Sequence, residues 1–137
     1  NGHATTIALR QHYFPAIAPI HIHAGYSHGW NRTKGNDFDY QTNFLSLGLG
    51  IPLLFNIYGD VSYSKVYNDY ESPNSLAGRG FDFTRTDELD SINVTLNRPV
   101  LPWLNAFLTY DYTRDHSNIR FYNFVQYALS AGLQAHF

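Results

Sequence analysis

The chain has 137 residues, a formal net charge of −2 and no cysteine. That bounds it to one domain or part of one, and excludes a disulfide framework or a thiolate metal site. Nine Lys and Arg against eleven Asp and Glu give no basic footprint for nucleic acid.

Seven segments alternate with a period of two, the mark of strands whose successive side chains point to opposite faces. IALRQHYF sets Ile7, Leu9 and Tyr13 against Ala8, Arg10 and His12. IHIHAGYSHGW sets Ile20, Ile22, Ala24, Tyr26 and Trp30 against His21, His23, Gly25 and Ser27. NFLSLGLGI sets Leu45, Leu47, Leu49 and Ile51 against Phe44, Ser46, Gly48 and Gly50. NIYGDVSYSKVY sets Ile57, Gly59, Val61 and Tyr63 against Tyr58, Asp60, Ser62 and Ser64. SINVTLN sets Ile92, Val94 and Leu96 against Asn93 and Thr95. LNAFLTYDYT sets Leu108, Tyr110 and Tyr112 against Phe107, Thr109 and Asp111. QYALSAGLQAHF sets Tyr127, Leu129, Ala131, Leu133, Ala135 and Phe137 against Gln126, Ser130, Gly132, Gln134 and His136. No helical period of similar length competes, so residues 1–137 read as a single all-β domain.

The connections alternate in length. FPAIAP, PLLF and RPVLPW are short and carry proline, whereas NRTKGNDFD, NDYESPNSLAGRGFDFTRTDE and RDHSNIRF are longer and polar. Short turns at one end and long loops at the other suit an antiparallel up-and-down transmembrane β-barrel. Composition agrees. Aromatic residues reach 17% and charged residues only 15%, against about 25% charged in ordinary soluble domains. Trp30, Tyr40, Tyr63, Tyr67, Tyr112 and Tyr122 lie toward the long-loop end, and Tyr13, Phe55, Trp103 and Phe137 toward the short-turn end. Two such groups are expected at the two membrane interfaces.

The final strand, Tyr127, Leu129, Ala131, Leu133, Ala135 and Phe137, resembles the C-terminal signal of bacterial outer-membrane β-barrels. That resemblance implies recognition by the barrel-assembly machinery through Tyr127, Leu129, Leu133 and Phe137, and location in the bacterial outer membrane. TLNRPVLPWLNAFLTYDYTRDHSNIRFYNFVQYALSAGLQAHF also resembles the last strands of porins and of barrels that follow periplasmic tetratricopeptide repeats in exporters. The elements shared are Tyr110-x-Tyr112, Ser117-Asn118-Ile119 and the Phe- and Tyr-rich start of the last strand. If Phe137 is periplasmic, the seventh and first strands both run inward, whereas bacterial barrels have even strand numbers. The expectation is therefore a C-terminal part of a larger barrel, with at least one strand before Asn1, or a barrel of several copies of the chain.

On this reading Arg10, His12, His21, His23, Asp60, Ser62, Ser64, Asp111, Gln126 and Gln134 face a lumen. The small residues between them suit a water-filled channel for export or diffusion, with a plugged structural anchor carrying partner-binding loops as the alternative. His12, His21 and His23 could hold zinc or copper. No carboxylate is evident on the same two strands, so hydrated, hydrogen-bonded imidazoles are the expectation and no metal or cofactor is assigned. Asp115-His116-Ser117 invites a hydrolase reading, but adjacent strand residues face apart, and the triplet is expected to lie in a loop of a non-enzymatic protein. Arg32, Lys34, Arg79, Arg85, Arg114 and Arg120 lie in or near the long connections among acidic residues. They either engage lipopolysaccharide phosphates or form a solvated rim. Expected partners are outer-membrane lipid, lipopolysaccharide, the assembly machinery and the other strands of the barrel, with no nucleic acid.

Overall fold

A computed structural model describes residues 2–16, 19–33, 38–73 and 83–136. The strands are β1 (His3–Tyr13), β2 (His21–Arg32), β3 (Tyr40–Pro52), β4 (Tyr58–Pro73), β5 (Thr84–Leu101), β6 (Leu104–Ser117) and β7 (Phe124–Ala135). They form one antiparallel sheet in the order β1-β2-β3-β4-β5-β6-β7, each strand beside its sequence neighbours. β1 and β7 are its open edges. All seven expected strands are present.

Several connections are shorter than the sequence suggests. Residues 68–73 belong to β4, residues 84–88 to β5, and Arg114–Ser117 to β6. Apolar alternation stops in those stretches, but backbone pairing does not. The ladder needs only N–H and C=O groups, so it continues where both faces turn polar. RPVLPW is likewise mostly strand. β5 runs to Leu101, with a register shift between Pro99 and Leu101, and only Pro102 and Trp103 make the turn. β4 pairs β5 no further than Asn97, so Pro99 lies where one side of β5 is unpaired, a position that tolerates a missing N–H. The β3–β4 connection folds as a 3-10 turn over Leu54–Asn56, with Phe55 and Asn56 in the left-handed region.

Register fixes the faces. One row of paired residues reads Tyr13, Ile22, Leu49, Val61, Val94, Tyr110, Leu129, and the next reads Gln11, Ala24, Leu47, Tyr63, Ile92, Tyr112, Tyr127. This apolar face is the exposed one: Leu9 is 74% exposed, Leu47 50% and Leu129 72%. The opposite face, with Ser46, Ser62, Ser64, Asn93 and Thr95, is partly shielded. Among the described residues the one buried hydrophobic side chain is Ile119, in the β6–β7 connection. The sheet therefore has no apolar core of its own.

The next row up, Leu9, Tyr26, Leu45, Lys65, Asp90, Arg114, changes from apolar to charged between β3 and β4. Here Lys65 pairs with Glu88 at 2.8 Å and the Tyr63 hydroxyl donates to Asp90 at 2.6 Å. The short turns are also staggered. Counted from the row of Tyr13 and Ile22, the ladder ends three residues further along β3, at Pro52 opposite Tyr58. It ends six further along β6, at Leu104 opposite Leu101.

The aromatic groups expected at the interfaces are only partly placed outward. Tyr63, Tyr67 and Tyr112 share the apolar face. Tyr40 stands on the other face, tilted against Tyr70 with ring centroids 5.1 Å apart, and Tyr122 lies in a 3-10 turn under Arg85. Register parity turns Tyr40 inward, since it pairs with Asn31, on the same face as Ser27.

Candidate functional site

Register places Arg10, His12, His21, His23, Asp60, Ser62, Ser64, Asp111, Gln126 and Gln134 on the polar face. One row contains His12, His23, Gly48, Ser62, Asn93 and Asp111, and its neighbour contains Arg10, Gly25, Ser46, Ser64, Ser91, Thr113 and Gln126. Towards β5 and β6 the cross-strand pairs bond one another: Asn93 donates to Asp111 at 2.7 Å, and the Thr95 and Thr109 hydroxyls are 3.2 Å apart. Gln126 and Gln134 stand on β7, several strands from the histidines. Of the residues expected to form a terminal signal, Phe137 lies outside the described residues, and Tyr127, Leu129 and Leu133 are exposed on the apolar face.

The histidines gather at the short-turn end. His12 Nδ1 and His21 Nε2 are 2.9 Å apart, with the two rings stacked, and Phe14 also stacks on His21, at 4.5 Å between centroids. Asp60 joins them from β4. Its carboxylate and the ring nitrogens of His21 and His23 lie within 4.8 Å of one another. The intervening strand makes this possible. A Cβ on Gly48 would collide with the His23 ring, and one on Gly50 would collide with the Tyr58 hydroxyl and come within 3.2 Å of Asp60. Two glycines thus clear β3, so groups on β2 and β4 meet over bare backbone. His23 Nδ1 is buried with no hydrogen-bond partner. Arg10, His12, Ser62 and Ser64 line the same depression, of about 390 Å³.

The carboxylate missing from the two histidine-bearing strands thus comes from two strands away from β1's neighbour β2. The available signal was the alignment of Gly48 and Gly50 between His21, His23 and Asp60, which only becomes visible once register is known.

A second cluster caps the long-loop end. Arg85 Nε donates to Asp87 at 2.9 Å, and the guanidinium lies over the Tyr122 ring at 3.3 Å and the Tyr70 ring at 4.7 Å. Arg85 is therefore a packed strand residue rather than a loop cation. Arg32 and Arg114 are also in strands, and Lys34 and Arg79 lie outside the described residues. Asn118 ties the β6–β7 connection to β5: its side chain donates to the Thr84 carbonyl at 2.8 Å and accepts from the Thr86 N–H at 3.0 Å. Ser117 Oγ accepts from Ile119 N–H at 3.1 Å.

Asp115-His116-Ser117 is strand, not loop. Ser117 opposes Asp87 on the polar face, and His116 opposes Glu88 on the apolar side. The strand continues because Asp115 through Ser117 keep pairing with β5, and its pleat separates hydroxyl from imidazole. Burial pushes the Asp115 carboxyl above the usual carboxylate range; the Asp87 charge adds to the rise and Arg85 partly offsets it. The folded chain then holds this proton at pH values where the unfolded chain has released it. The stabilisation is present at low pH and lost as pH rises through the ordinary range towards the raised value. Asp115→Asn, a mimic of the protonated form, is expected to raise the urea midpoint at pH 7. The difference should vanish below about pH 4. An equal gain at both pH values would exclude titration as its source.

No family model, curated protein or solved structure matches the chain.

Proposed function

We propose that the sheet is part of the wall of a bacterial outer-membrane β-barrel, its apolar face in lipid and its polar face lining a water-filled channel for export or diffusion. The carrying observation is the inverted exposure: leucines outside, serines and glycines inside, and a single buried hydrophobic side chain among the described residues. In water such a sheet would leave more apolar surface exposed than a soluble monomer carries. In lipid the same surface is satisfied.

The turn stagger supports this reading. Three residues of offset per two strands means that a plane through the three short turns meets strands leaning by about 45° from its normal, within the range of membrane barrels. Outward residues stay apolar for four or five positions per strand, for example Leu104 to Tyr112 on β6. At that tilt they form a belt about 20 Å tall, close to the apolar band of such barrels. Lys65, Asp90 and Arg114 then mark the upper edge of the belt, where charge meets headgroups and lipopolysaccharide.

Parity constrains closure. β1 and β7 run in the same direction, so direct closure, or a ring of copies all oriented alike, creates parallel seams. An odd number of further strands keeps every pair antiparallel. The remaining strands of the same barrel are therefore a better supply than further copies.

A plugged anchor is the second reading. Phe44, Val66, Leu89 and, beyond Asp115, Phe124 fall on one row of the polar face, and Phe107 covers Gly132. That row narrows a small lumen with apolar groups, and the occupied space over Gly132 makes that position unsuitable for a blocking residue.

Single cysteines at Ser62, Ser64 and Gln134 are expected to react with a membrane-impermeant thiol reagent in intact outer membranes, and cysteines at Leu47, Val61 and Leu133 to be protected. Reaction on the apolar face alone would overturn the orientation. Silence on both faces, with no conductance in planar bilayers, would favour the plugged anchor.

A further inference from the structure

We infer that His21, His23 and Asp60 form a zinc site on the polar face, with His12 as the residue that positions His21. The inference goes beyond the channel reading and rests only on the register of β1–β4. Two imidazoles and one carboxylate are a donor set that zinc accepts. Their ligand atoms, within 4.8 Å of one another, need small side-chain rotations to reach the roughly 3.4 Å edges of a tetrahedral site with ~2.1 Å bonds.

Three features distinguish the cluster from a chance meeting of polar side chains. The first is the cleared floor: a Cβ at residue 48 would occupy the space of the His23 ring, and one at residue 50 would collide with the Tyr58 hydroxyl and crowd the Asp60 carboxylate at 3.2 Å. The second is His23 Nδ1, a buried nitrogen with no partner, which a polar network would be expected to satisfy. The third is the His12–His21 contact of 2.9 Å. A ring that binds metal through one nitrogen is held by a hydrogen bond at the other, and such a bond fixes its tautomer and orientation. His21 and His23 line the same depression as Arg10, so water or a small anion has access to complete the coordination.

The test is calorimetric titration of zinc sulfate into the folded full-length chain, in detergent or lipid, with cobalt substitution as a spectroscopic readout. One ion per chain is expected, and the cobalt form should show the intense visible bands of tetrahedral nitrogen–oxygen coordination. His21→Gln, His23→Gln and Asp60→Asn should each weaken binding by about 100-fold or more. His12→Gln should weaken it by about 10-fold, as loss of a supporting hydrogen bond does. Gly48→Ala changes none of the ligating residues but displaces the His23 ring, and should weaken binding as well. His28→Gln, on the apolar face where the ring bonds Asn43, should leave it unchanged. Absence of saturable binding, binding by several ions per chain, or unchanged affinity in His23→Gln would each overturn the site. The cobalt spectrum of the unsubstituted chain decides the question even if a variant fails to fold. Cysteine labelling reports separately on the channel reading, so one can fail while the other stands.

Discussion

Leu47→Arg and Leu108→Arg are each expected to destabilise the chain by about 2–4 kcal/mol in lipid, the cost of a cation at the bilayer midplane on a barrel's outer face. Leu47 is 50% exposed and Leu108 41%. In a water-soluble sheet, substitutions at such exposed positions stay within about 0.5 kcal/mol, so the two environments predict different results for the same residues. Ser64→Arg is the internal control. Ser64 is flanked by Ser46 and Ser91 on its partner strands, so the long side chain has room on the polar face and water or counter-charge to meet. Its expected cost is a small fraction of the leucine values. The measurement is equilibrium urea titration in liposomes, read by tryptophan fluorescence. Equal losses at Leu47 and Ser64 would show that the two faces do not differ in environment, and the barrel assignment would fall. A depth series adds a second criterion. Arg at Leu45, whose row carries Lys65 and Asp90 on the next strands, should cost less than Arg at Leu47. If the cost does not decline towards that row, the apolar belt does not end there.

Strand number and faces were legible because each depends on local alternation, and strand order because short and long connections alternate along the chain. Val61, Tyr63 and Leu108 were assigned to the face they occupy from spacing alone. Strand ends were less legible, and for one physical reason. Alternation reports the chemistry of a face, whereas a strand ends where the ladder ends. Thr84–Glu88 and Arg114–Ser117 are polar on both faces and read as loop, yet their backbones remain paired. The histidine site was half legible. His12, His21 and His23 were visible as inward-facing neighbours, but Asp60 is 37 residues beyond His23 in the chain. It meets them only because the β2–β3 and β3–β4 registers place Gly50 between His21 and Asp60. Register depends on turn geometry, and the turns here are proline-bearing and of unequal length, so the sequence leaves open which residues stand opposite one another.

Arg85→Ala is expected to cost about 3–5 kcal/mol, the loss usual when one partner of a buried ion pair is removed and the other stays behind. Asp87 is only 3% exposed. Its carboxylate is engaged by the Arg85 guanidinium, whose faces meet Tyr70 and Tyr122. Truncation removes the counter-charge and both ring contacts together. It also brings out a repulsion, because the Asp115 carboxyl, raised by burial and then by the neighbouring Asp87 charge, is offset by Arg85 and to a lesser extent by His116. Arg85→Lys keeps the charge but not the planar fork or the stacking, so it should recover only part of the loss. Asp87→Asn in the Arg85→Ala background should recover more, since it removes the uncompensated charge itself. The readout is hydrogen exchange at the Thr86 and Asn118 amides, which bond across the β5–connection seam, together with the global urea midpoint. Faster exchange confined to these amides would mean that the long-loop end opens by itself above an intact belt. A fall in midpoint as well would mean that the cap and the sheet unfold as one unit. Slower or unchanged exchange in Arg85→Ala would show that Asp87 finds water in place of arginine, and that the pair contributes little to holding β5 against β6.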